Sequence, residues 1–256
     1  MRLTLPSVLI LFLTLASASV VRSQSVQLVP AYAYHLKPPF ILDITAEKGL
    51  YFDLSTVLST PGKIEFYTVF VPRKRIERML ESKKLDGIII GVNPTWFGDL
   101  NENKYHWSPA FFHDRDEFIS LPKNHFEYVD DESLQGHILA GVRGFYYHHV
   151  ESLVRNNNMQ RIDTIGEHEV LQLILRERAD IGIVSRSTFD YLRTHEHPEF
   201  NLLHVSTKPH DSFARRILIM PENKELAEYI DTRLQSEDFR QRWQAVLDSY
   251  AVKNNY

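Results

Sequence analysis

Leu80-Glu81-Ser82-Lys83-Lys84-Leu85-Asp86-Gly87-Ile88-Ile89 and Leu175-Arg176-Glu177-Arg178-Ala179-Asp180-Ile181-Gly182-Ile183-Val184 follow one plan. Each is the end of a helix, a base-rich polar turn, an aspartate, and then a short unbroken apolar run. Such a run suits a strand buried on both faces, which is the kind found in parallel sheets covered by helices. The second copy follows the first by about 95 positions. A helix–turn–strand unit repeated at that distance predicts two α/β units of comparable size.

The flanking sequence extends each unit. In the first, strands are expected over 26–32, 64–71 and 87–92, and helices over 50–58 and 75–82. Lys37-Pro38-Pro39 breaks the chain after the first strand. Ile76, Met79 and Leu80 form one stripe of the second helix. The order is β-α-β-α-β. The second unit reads as strands over 117–121, 138–142, 161–165 and 181–184. A helical turn is expected over 130–134 and helices over 146–155, 167–177 and 189–194. A last strand, 217–220, precedes closing helices over 222–234 and 237–250, where Trp243, Val246 and Leu247 keep helical spacing. Ligands of such sheets sit at the carboxyl ends of strands, which directs attention to 34–40, 72–75 and 93–95.

The chain has 256 residues, 43% of them hydrophobic and 24% charged, ample for a globular core. Formal net charge is -4. Without the first 23 residues, which carry Arg2 and Arg22 and no acid, 27 bases face 33 acids. That balance argues against a general nucleic-acid partner. The absence of cysteine excludes disulfides, thiolate metal sites, cysteine nucleophiles and a cysteine-linked lipid anchor. Residues 1–23 read as a cleaved secretory leader: Arg2, an apolar run over 3–15, then Ala16-Ser17-Ala18. About 20 apolar residues are needed to span a bilayer, and this run is shorter. The product is expected to be periplasmic, free of lipid, and monomeric.

The paired units resemble the two lobes of extracellular solute-binding proteins of family 3, the polar amino-acid type that serves ABC importers. Further stretches fall in that family's order: Pro38-Pro39-Phe40, Gly49-Leu50-Tyr51-Phe52-Asp53-Leu54, Pro72-Arg73-Lys74-Arg75, Trp107-Ser108-Pro109-Ala110-Phe111 and Leu134-Gln135-Gly136 before the 138–142 strand. The resemblance covers nearly the whole mature chain. It implies a two-lobed type 2 periplasmic-binding-protein fold, with lobe one over 24–112 plus 208–256 and lobe two over 113–207. Crossings near Asp116 and Val205 would form the hinge, and a small ligand would lie between the lobes.

The family's ligand clamps are missing. The arginine that pairs with a ligand carboxylate is expected near Thr95, where Trp96-Phe97-Gly98 follows, or at Asn101 by counting back from Trp107-Ser108. The aspartate that holds a ligand ammonium falls on Ser185. Gly144 is followed by Phe145-Tyr146-Tyr147 rather than small hydroxyl residues. A polar ligand, aromatic or anionic, fits these changes.

The candidate ligand-binding residues are Tyr34, Phe40, Arg75, Asn93, Thr95, Arg143, Tyr146, Ser185 and Arg186. Tyr34 and Phe40 would wall the groove, unless they are ordinary core. Arg75 would anchor an anion, unless it pairs with Glu77 or Asp86, while Arg73 and Lys74 read as solvated. Asn93 and Thr95 can donate and accept at a strand end. Arg143 would stand in for the missing carboxylate partner, and Tyr146 offers stacking. Ser185 and Arg186 end the matching strand of the second unit.

Among twelve histidines, His148-His149 and His195-Glu196-His197 are the densest groups. Neighbouring histidines on a helix point about 100° apart, so no metal site is expected there. No P-loop, dinucleotide fingerprint or nucleophile-elbow motif occurs, and no cofactor or catalytic residue is assigned. The sequence therefore predicts a non-enzymatic receptor for an ABC importer. A ligand sensor docking on a membrane receptor is the alternative, and a small dehydratase-like enzyme a third reading.

Overall fold

The structure, a computed structural model, describes residues 25–254, so the predicted leader lies outside the described residues. Among them no helix is long and apolar enough to cross a membrane.

The repeated plan forms two similar halves. In the first, β1 (Gln27–Ala33) lies between β2 (Ile64–Phe70) and β3 (Ile88–Val92), and both pairings are parallel. Helices α1 (Leu50–Leu58) and α2 (Arg73–Glu81) make the connections. In the second, β6 (Ile138–Val142) lies between β7 (Gln160–Thr164) and β8 (Ile181–Ser185), again parallel. Their connections carry α3 (Val150–Arg155) and α4 (Glu167–Leu175), and α5 (Arg186–His195) follows β8. Both apolar runs of the repeat are wholly buried, β3 and β8 alike.

Two long strands join the halves. β5 (Phe112–Ser120) and β10 (Asp211–Ile219) run antiparallel to each other from Asp211 opposite Asp116 to Arg215 opposite Phe112. Beyond that stretch each leaves for a different sheet. β10 continues against β3, with a register shift at Arg216/Ile217, and β5 continues against β8. Two short strands, β4 (His106–Trp107) and β9 (His204–Val205), pair with β10 and β5. Helices α6 (Lys224–Gln235) and α7 (Glu237–Ser249) close the first half. The core is divided accordingly. Two clusters draw only on residues 29–112 and 217–252, and two only on 118–205.

Most elements match the sequence reading within a few residues. Five departures have physical reasons. Strands expected over 117–121 and 217–220 begin at Phe112 and Asp211, because the added, mostly polar residues pair with each other across the crossing. The helix expected from 146 starts only at Val150, after His149 turns left-handed at φ 67. Tyr147 is folded back instead, its hydroxyl accepting from the Val142 N–H at 2.9 Å. Helices α2 and α5 start at Arg73 and Arg186, two and three residues early, because their first turns carry charged side chains that an apolar stripe does not mark.

At the crossing, Arg215 and Asp114 are each 1% exposed and form an ion pair at 2.8 Å. The guanidinium also donates to the Gly91 carbonyl at 3.2 Å and lies 4.2 Å from the Phe40 ring centre. Asp114 accepts from the Ser187 N–H and hydroxyl, at 3.2 and 2.7 Å, in the first turn of α5. Gly91, at φ +74, is required here, since a Cβ would lie 1.8 Å from the Tyr51 hydroxyl. One carboxylate thus fastens β5, β10 and α5 together. Removing one member of a buried, hydrogen-bonded ion pair costs about 3–5 kcal/mol, because the other charge stays buried alone. Asp114→Ala is expected to lower unfolding free energy by about that amount, read from the urea midpoint at unchanged slope; a loss under ~1 kcal/mol would show the pair is not a stabilising node.

Candidate ligand-binding cleft

The carboxyl ends of β1, β3, β6 and β8 converge on the stretch where β5 and β10 cross. From the first half, the segment after β1 reaches over. Lys37 Nζ donates to Glu167 Oε1 at 2.5 Å and to Ser185 Oγ at 2.8 Å. The Thr188 hydroxyl donates to the Pro38 carbonyl at 2.6 Å. Glu167 opens α4 and Ser185 caps α5, so two helix N-termini of the second half hold the Lys37-Pro38 turn of the first. A carboxylate at a helix N-terminus is favoured by the helix dipole.

Asp116 sits on the floor of this groove. It is directly opposite Ser185 in the β5–β8 ladder, on one strand face with Asp114 two residues earlier. Its carboxylate has no hydrogen-bond partner among the described residues. Burial pushes it up to about 7, against the pull of Lys37 and with the push of Glu167 and Asp114. Three carboxylates (Asp114, Asp116, Glu167) therefore share two cations (Lys37, Arg215). His35, behind Lys37, is driven well below its ordinary value by burial and by Arg215, Lys37 and Arg73, so its imidazole is neutral.

Arg143 follows β6, whose Ala140 is level with Gly182 of β8. Continuing that register places Arg143 level with Ser185, hence with Asp116. Neighbouring strands are about 4.8 Å apart, so this exposed arginine is about 10 Å from Asp116 along the sheet. Its guanidinium has no ion-pair or hydrogen-bond partner among the described residues. Asn93 and Thr95 border a cavity of about 360 Å³ with Trp96, Phe213 and Arg216, and His148 reaches it from the second half. A larger hollow of about 540 Å³, between α6 and residues 103–106, is lined by the first half alone and does not touch the crossing.

The other expected site residues are spread around these groups. Asn93 is buried and its Oδ1 accepts from the Trp96 N–H at 3.2 Å; Thr95 is exposed. Ser185 is wholly buried within the Lys37–Glu167 contact. Tyr34 packs edge-on to Phe97 and its hydroxyl accepts from Arg73 at 3.0 Å. Phe40 is fully buried, at 4.9 Å from Tyr51 and under Arg215. Arg186 pairs with Asp190 and Glu117. Tyr146 is 71% exposed and its ring meets His148. Arg75 is exposed on α2 with no ion pair to Glu77 or Asp86. Arg73, expected to be solvated, instead lies 4.3 Å over the Phe97 ring, bonds Tyr34 and the Trp96 carbonyl, and pairs with Glu77. It is the first residue of α2, so its side chain turns back toward the loop. His195 rests on Tyr191 and His197 pairs with Glu199, which separates the two histidines of that motif.

His35, Lys37, Asp114, Asp116, Glu167 and Arg215 were not singled out from the sequence. The signal available was charge at alternate positions, Asp114 and Asp116, beside the expected crossing, and a lysine before Pro38-Pro39.

The architecture, two α/β lobes joined by paired crossing strands, is the two-lobed periplasmic-binding-protein fold. No protein-family model and no curated protein matches the chain. Solved structures match over most of its length. A mutant of ArgBP from T. maritima has a TM-score of 0.64 at 16% identity, covering 87% of this chain and 94% of that one. The ancestral amino acid-binding protein AncCDT-1, a precursor of cyclohexadienyl dehydratase, gives 0.63 at 15%, over 87% and 95%. The GluR0 ligand-binding core from Nostoc punctiforme, in complex with (L)-glutamate, gives 0.61 at 13%, over 88% and 98%. These neighbours are of the family 3 type, and at such identities the likeness is one of fold.

Asp116 makes stability depend on pH. In the unfolded chain it ionises near 3.8, and in the folded protein near 7. Between those values the folded state holds a proton the unfolded state has lost, so stability falls as pH rises through the window. At pH 8 Asp116→Asn is expected to be more stable than the parent by roughly 2–3 kcal/mol, with the gap closing toward pH 4. Urea titrations of both proteins across that range would show it; parallel stability curves would refute it.

Proposed function

We propose that this protein is a periplasmic receptor that captures a small polar solute between its lobes and hands it to an ABC importer. The lobes would divide as 24–112 plus 208–256 and 113–207, with β5 and β10 as the hinge. The observation that carries this reading is the unpartnered carboxyl of Asp116 and the unpartnered guanidinium of Arg143, on one level of the second lobe's sheet at the groove. Lys37 indicates what the acidic end accepts: a primary ammonium fits between Glu167 and Ser185 at 2.5 and 2.8 Å. A ligand with an amino or guanidino group would place it at Asp116 and Glu167. Its anionic end would reach Arg143, where a planar guanidinium can grip a carboxylate through two bonds. Trp96 and Phe213, 4.9 Å apart, offer apolar cover at the cavity edge. The amino-acid-binding neighbours support this class of solute.

A panel of amino acids, dipeptides and diamines, scanned by thermal unfolding, tests the reading. A ligand at a hundred times its Kd adds about 2.7 kcal/mol to stability and raises the midpoint. Asp116→Asn and Arg143→Ala should each weaken binding at least tenfold. No rise across the panel, or rises unaltered in both variants, would overturn it.

A further inference from the structure

Four residues beyond Asp116, at the other end of β5, three metal-ligating side chains meet. Ser120 pairs with His204 of β9, and the chain turns back after β5 to bring up His125 and Glu127. His125 is left-handed at φ 42, an uncommon conformation for a residue with a side chain. That turn sets its ring 4.1 Å from the His204 ring, centre to centre. One ligand atom each from His125, Glu127 and His204 lies within 4.8 Å of the others.

We propose that His125, Glu127 and His204 bind one divalent transition-metal ion, with zinc the best chemical fit. Two imidazoles and a carboxylate are a donor set that zinc takes at about 2.0–2.2 Å, with water completing a tetrahedron. The carboxylate is already oriented. Its Oε2 accepts from the Thr207 N–H at 2.7 Å and from the Ser206 hydroxyl at 3.2 Å. Such outer contacts fix a ligand's direction before the ion arrives. Its Oε1 faces His204 Nε2 at 2.8 Å. A tetrahedral zinc needs those two atoms about 3.3 Å apart, so an ion can take the place of the proton between them with a shift of about half an ångström. His125 is exposed, and its ring nitrogens make no hydrogen bond among the described residues, so a small rotation completes the set. The other histidine pairs lack this arrangement. His168 and His197 lie tilted at 4.5 Å but each turns Nδ1 to its own glutamate, and His148 stands 6.1 Å from His210 and 6.5 Å from His149. Bound metal would tie the 121–127 turn to β9, just before the chain recrosses to the first lobe.

Calorimetric titration of the purified protein with zinc chloride, in a buffer that does not chelate, tests the site independently of any solute. One saturable equivalent is expected, with affinity falling at least tenfold in His125→Ala and in Glu127→Gln and unchanged in His197→Ala. Bound cobalt should show the intense visible bands of tetrahedral coordination, and these should disappear in His125→Ala. His125 is exposed, so that variant keeps its fold, which circular dichroism verifies. Absence of a saturable equivalent, or binding equal in His125→Ala and the parent, would overturn the proposal.

Discussion

Everything near the cleft is placed by the buried pair of Arg215 and Asp114. A guanidinium this deep is tolerated only when its donors are used, and here they go to a carboxylate and a strand carbonyl, beneath aromatic rings. The carboxylate is equally occupied by the first turn of α5. The two crossing strands therefore cannot slide without stranding a charge. Such a pair adds little to net stability compared with an apolar core of the same volume. What it supplies is register: it fixes which residues of β5 and β10 face the groove, Asp116 among them.

With Asp114 committed to Arg215, Lys37 is the cation that pairs with Glu167 and pulls most strongly on Asp116. That lysine belongs to the first half and its partners, Glu167 and Ser185, to the second, so the contact bridges the groove and marks where a cation is welcome. Asp116 is left half-buried and unpaired, which is why its proton is held so firmly. The clamp residues expected from the family resemblance are absent at their usual positions.

At 12–17% identity to the solved neighbours, the fold is shared although most side chains differ. Fold depends on where apolar residues recur, a pattern that many sequences satisfy. A binding site depends on a few polar groups at set distances, and those may change one at a time. Two of the residues expected from the sequence have partners within the fold: Arg186 pairs with Asp190 and Glu117, and the Phe40 ring lies under Arg215.

The sequence alone determined the two α/β halves, most strand and helix positions, and the ends of strands where a ligand would sit. Those follow from local periodicity and from buried apolar runs such as Ile88–Val92 and Ile181–Ser185, which any reader of the chain can see. It also placed Arg143 and Ser185 at strand ends, because a strand end is a local feature. Only the tertiary structure decided that Lys37 meets Glu167 across 130 positions, that Arg215 meets Asp114 across 101, and that His125 meets His204. Charged residues carry no periodic signature, and their partners are chosen by how two sheets cross, which no stretch of sequence encodes by itself.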